Sequence, residues 1–212
     1  MPRATEPRKS VRGFQHSICR WYAKATPAEH LHGVQWYNLE RGRIADLAAR
    51  YGVTVDVAAG VTAVLSPMVR WEQNLVEMEY VLLRAAGGVR FGDAGYRKGH
   101  VAFSANIRKA YDIVERGFSA GVVSGRKVTA FYRLLAGPCD AVVLDSIAIM
   151  AAVGIDPTPF VSSADAKAYF GRPVALNLIE RAYRRAAVAL KLRPDQLQAV
   201  VWTVWRNERD KS

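Results

Sequence analysis

Almost every apolar pattern along this chain repeats at helical spacing, and the breaks fall at glycine, proline or a capping residue. Thr26-Pro27-Ala28-Glu29 is a capping box with proline at the first helical position, and Val34 to Tyr51 reads as a long helix ended by Gly52. Thr54 can cap the next helix, Val55 to Leu65, after which Ser66-Pro67 restarts a helix with Trp71, Leu75, Met78, Val81 and Leu82 on its apolar side. Ser124-Gly125 starts a helix from Arg126 to Ala136, in which Val128, Phe131, Leu134 and Leu135 share a face and which Gly137-Pro138 stop. The apolar run Ala141-Val142-Val143-Leu144 ends abruptly at Asp145. That aspartate is the expected N-cap of a buried helix, Ser146 to Ala152, closed by Gly154.

Downstream, Asp156-Pro157-Thr158-Pro159 is a turn and Ser163 begins a short helix. Arg172-Pro173 opens a long amphipathic helix to Leu190, with Val174, Leu178, Ala182 and Ala186 on one side and Arg181, Arg184 and Arg185 on another. The last helix, Pro194 to Arg206, has Leu197, Val200, Val201 and Trp205 as core candidates, with Trp202 packing beside them. Gly87 to Phe103 is the least regular stretch. It reads first as a connector; its Arg90, Tyr96, Arg97, Lys98 and His100 also suit a loop that covers bound DNA. These elements predict an all-α fold.

At 212 residues and 50% apolar content, the chain can bury one substantial core or two small lobes sharing a cleft. A formal charge of +11 favours a polyanionic partner, nucleic acid ahead of a membrane surface. Residues 1–13, with Arg3, Arg8, Lys9 and Arg12 against Glu6, read as a flexible basic arm able to track a phosphate backbone; residues 14–212 read as a single helical domain. No apolar run has membrane-spanning length and the N-terminus lacks the apolar core of a secretory signal, so no membrane association and a cytoplasmic location are expected. Cys19 and Cys139 are too few and too distant to argue a metal site or a disulfide framework. His16, His30, His32 and His100 form no ligand pattern with carboxylates, so neither metal nor cofactor is expected.

Gly125-Arg126-Lys127, the helix that follows, and the apolar run ending in Asp145 resemble the helix-hairpin-helix DNA glycosylase superfamily, in particular its endonuclease III-like members. Val64-Leu65-Ser66-Pro67 is similar to the family's early Leu-Ser helix junction, and Ala105 to Gly117 to the helix before its hairpin. The resemblance covers about Val55 to Gly154. It implies a two-lobed helical fold with a cleft between the lobes, double-stranded DNA as partner, and a monomer.

The same resemblance implies roles. The hairpin, about 121–127, would hold a DNA phosphate, with Ser124, Gly125 and Arg126 as contacts. Met68, or a neighbour on the Ser66-Pro67 turn, would fill the gap left by a flipped base, with Ser66 as a further DNA contact. Lys127 would be the amine nucleophile of a lyase, and Asp145 would stabilise positive charge developing on the sugar. Arg181, Arg184 and Arg185 are further phosphate-contact candidates.

Read from the residues alone, each has a plainer role: Asp145 as an N-cap worth about 1 kcal/mol, Lys127 as a phosphate-binding lysine beside a helix N-terminus, Met68 as core filling, and the arginine triplet as a solvated face. The leading expectation is base excision from DNA, with AP-lyase activity. Two alternatives stay open: modification of a flipped thymine derivative without excision, as in phage-associated relatives of the superfamily, and a DNA-binding module without chemistry.

Overall fold

The computed structural model describes residues 10–97, 99–118, 121–158 and 160–211. The described residues form ten α-helices and no strand: α1 (Val11–Ala23), α2 (Pro27–Arg50), α3 (Val55–Leu65), α4 (Trp71–Ala86), α5 (Ser104–Arg116), α6 (Arg126–Ala136), α7 (Ser146–Val153), α8 (Lys167–Phe170), α9 (Pro173–Ala189) and α10 (Pro194–Lys211). A single 3₁₀ turn, Ser163–Ala166, leads into α8. The protein is all-helical, as the periodicity predicts.

The chain divides into two compact units: Met1–Tyr37 with Asp140–Ser212, and Asn38–Cys139. The discontinuous unit has a core of Phe14, Ile18 and Trp21 from α1, Ile147 to Val153 of α7, Ile179 and Tyr183 of α9, and Leu197, Val201 and Trp205 of α10. Every residue of α7 after Ser146 is buried, so this short helix is wrapped on all sides and carries no charge. Gly33 lets α2 approach α10 closely: a Cβ there would lie 2.6 Å from the Val200 Cα. One turn on, the Tyr37 hydroxyl donates to Gln198 at 3.2 Å.

The continuous unit is built around α3, in which Val57 to Leu65 are all buried and against which α4, α5 and α6 pack. Buried polar groups tie these helices together. The Asn74 amide donates to the Thr62 carbonyl at 3.0 Å, and the fully buried Glu77 accepts from the Val101 N–H at 2.6 Å and lies 2.5 Å from His100 Nδ1. Glu77 therefore fastens the glycine-rich connector 87–103 to α4.

Several boundaries differ from the sequence expectation. Helix α1 begins at Val11 behind an N-cap at Ser10, so the expected basic arm shortens at its C-terminal end; residues 1–9 lie outside the described residues. Helix α2 starts at Pro27, as the capping box predicts, but runs unbroken through Gly33 into the stretch expected as a separate long helix, because that glycine answers close packing rather than a helix break. Ser66-Pro67 does not restart a helix. Met68 has φ +65°, a left-handed conformation that cannot continue an α-helix, and α4 begins only at Trp71. Helix α10 extends past Arg206 to Lys211, because nothing in Asn207-Glu208-Arg209-Asp210 breaks it and Arg206–Asp210 and Lys211–Glu208 pairs line its last turns.

Candidate DNA-binding hairpin and catalytic residues

Helix α5 ends at Gly117 with φ +76°, and residues 121–125 lead into α6. Phe118 stacks on Tyr132 of α6, with ring centroids 4.2 Å apart and planes at 14°. The same ring lies over Gly60 of α3, where a Cβ would meet it at 3.0 Å. Tyr132 in turn donates to Asp56 at 2.8 Å, and burial, reinforced by that bond, pushes its phenol up to about 12. Val123 is buried, while Ser124 and Gly125 are exposed. Phe118 and Val123 are thus held by aromatic and apolar contacts, while Ser124 and Gly125 face solvent.

Gly125 is the N-cap of α6, at φ +88° and ψ 139°, with no side-chain capping bond and open space around the position a Cβ would take. The first turn of α6 holds no acidic residue; it begins with Arg126 and Lys127. Cations at a helix N-terminus oppose the macrodipole, whereas a bound anion would be favoured by both the dipole and the outward N–H groups. Lys109 of α5 adds a third cation, its ammonium donating to Ser124 Oγ at 3.1 Å.

Asp145 caps α7: its Oδ1 accepts from the Ala148 N–H at 2.8 Å, and its backbone is extended, as an N-cap requires. Its Oδ2 accepts from Trp202 Nε1 of α10 at 2.9 Å. Lys127 belongs to the continuous unit and Asp145 to the discontinuous one. The plainer role of Asp145 is therefore realised in the structure, together with a second bond that capping alone does not need.

Ser66 closes α3, its hydroxyl donating to the Ala63 carbonyl at 2.9 Å. Met68 is not core filling: it projects from the turn and is 78% exposed. The arginine triplet on α9 does not act as one face. Arg184 bonds Asp140 and pairs with Glu180 at 2.9 Å, so its charge is compensated, while Arg181 and Arg185 are exposed.

Trp202 was legible in the sequence only as a packing residue. Its one signal is general: a partly buried indole N–H needs an acceptor. No group of three or more metal-ligating side chains occurs among the described residues, and no single described helix is long and apolar enough to cross a membrane.

The model of a family of unknown function, DUF7178, matches residues 1–209, and the chain belongs to that family. No curated protein and no solved structure matches it.

Proposed function

We propose that this protein is a DNA glycosylase of the two-lobed helix-hairpin-helix fold, with AP-lyase activity. The observation that carries the reading is the entry to α6: an uncapped, positive-φ Gly125 followed by Arg126 and Lys127, an N-terminus organised for an anion such as a DNA phosphate. The net charge of +11 agrees with a polyanionic partner, and the exposed Met68 on its strained turn agrees with a side chain inserted between base pairs.

In this reading Lys127, as the neutral amine, attacks the sugar C1′. The N-glycosidic bond breaks with its electron pair leaving on the base, which takes up a proton; the bound nitrogen then loses its proton and its lone pair expels O4′, which is protonated as the sugar ring opens, and the resulting Schiff base leads to strand cleavage by β-elimination. Asp145 supplies negative charge that stabilises the electron-poor sugar.

Borohydride trapping on duplexes carrying an abasic site, uracil, 5-hydroxymethyluracil or an oxidised pyrimidine tests the assignment. A covalent adduct that disappears in Lys127→Ala supports the lyase; an adduct that persists removes Lys127 as nucleophile. The capping bond of Asp145 favours a second reading, a DNA-binding module without chemistry. It predicts salt-dependent, sequence-independent binding and unaltered DNA after long incubation.

A further inference from the structure

Capping α7 requires one oxygen of Asp145, yet both are held. The Ala148 N–H reaches Oδ1 at 2.8 Å and the Trp202 indole N–H reaches Oδ2 at 2.9 Å, from a residue 57 positions away. Two donors on different oxygens fix the carboxylate plane, where an N-cap on a surface helix keeps its second oxygen in water. The indole is itself held: it packs against the core, and the Arg206 guanidinium lies over its ring, 5.1 Å from the centroid. Tyr183 of α9 donates to the Ala148 carbonyl at 3.0 Å, so the peptide groups of residue 148 are gripped on both sides. Burial, and then the charge of Asp145, push the Tyr183 phenol far above its ordinary range, so it stays a neutral donor. Helix α7 contributes no charged group; the ionisable neighbours include Tyr183 from α9 and, across the indole, Arg206 from α10.

We propose that Trp202 is a positioning residue for Asp145, its indole N–H fixing the rotation of the carboxylate and holding it in the ionised form. The consequence for activity rests on the reading of Asp145 as the charge that stabilises the sugar; the coupling between the two side chains does not. Trp202→Phe keeps a ring beneath Arg206 and removes only the donor. A lost hydrogen bond to a charged group corresponds to an upward shift of about one unit in the titration midpoint of Asp145, read by carbon NMR. The acid limb of the excision rate should move up with it, kcat falling while KM holds. In the wild-type protein the Trp202 indole N–H resonance should follow the same carboxylate midpoint, and in Asp145→Asn that movement should vanish; this measurement stands even if Trp202→Phe does not fold. A Trp202 resonance indifferent to pH, or an Asp145 midpoint unchanged in Trp202→Phe, overturns the proposal. Full excision by Asp145→Asn would instead refute the catalytic reading and leave the NMR coupling to be read by itself.

Discussion

The Asn207 side-chain amide donates to Glu29 Oε1 at 2.8 Å, joining two residues 178 positions apart and tying the last helix to the capping box that starts α2. Glu29 already accepts from the Thr26 N–H at 2.9 Å, so the carboxylate has two anchors. The Asn207 bond, followed by the Thr26 backbone bond, holds its carboxyl below the ordinary range. A depressed acid contributes stability above the ordinary carboxylate range and loses it as pH falls through its lowered value. Asn207→Ala should cost about 0.5–1 kcal/mol at neutral pH, the lower end reflecting solvent screening at this partly exposed site. Urea melts at a series of pH values should show the difference from wild type closing as the solution becomes strongly acidic.

Gly33→Ala should destabilise the discontinuous unit by about 2 kcal/mol, because the added methyl meets backbone atoms of Val200, which cannot swing aside as a side chain could. Gly42→Ala in the same helix, where nothing lies within 4 Å, should be neutral or slightly stabilising. Thermal melts of the two variants side by side separate packing from helix propensity.

Glu77→Ala removes the acceptor of both the Val101 N–H and the buried His100. Leaving these groups unpaired should cost about 3 kcal/mol. Limited proteolysis should then open the glycine-rich connector before the helices; cleavage unchanged there would show that other contacts hold it.

Met68 holds a left-handed backbone conformation without being glycine. Met68→Gly relieves strain and adds unfolded-state freedom, two effects of about 1 kcal/mol each that nearly cancel, whereas Met68→Val should lose about 1–2 kcal/mol. If the side chain enters DNA, Met68→Gly should also weaken binding to a duplex with an abasic site while its melting temperature stays near that of wild type.

Arg126→Gln and Lys127→Gln should each lower the slope of log binding constant against log salt by about one unit if each contacts a phosphate. Fluorescence anisotropy across a salt series reads this directly, and slopes equal to wild type would remove the phosphate assignment.

Local chemistry made part of this structure readable in advance. Helix α6 spans Arg126–Ala136, as expected, because Gly125 and Gly137 mark its ends, and α7 lies between the Asp145 cap and Gly154 in its left-handed conformation. The length of α2 was hidden because the reason for Gly33 is Val200, a residue far away in sequence. The delay between α3 and α4 was hidden because a methionine gives no sign that it will take positive φ. Of the candidate residues, Asp145 was placed correctly as a cap, but its bond to Trp202 depends on packing of α7 with α10, which periodicity does not specify. Arg184 looked like its neighbours Arg181 and Arg185 until Asp140 and Glu180 came within reach.

The division of the chain into a continuous unit, Asn38–Cys139, and one assembled from both flanking segments bears on synthesis by the ribosome. Helix α1 is made before the middle segment, yet its Phe14, Ile18 and Trp21 belong to a core completed only by Trp205. Its apolar face therefore waits, uncovered, until the segment that follows Cys139 is translated, and the middle segment can gather its own core before the earlier one has a partner.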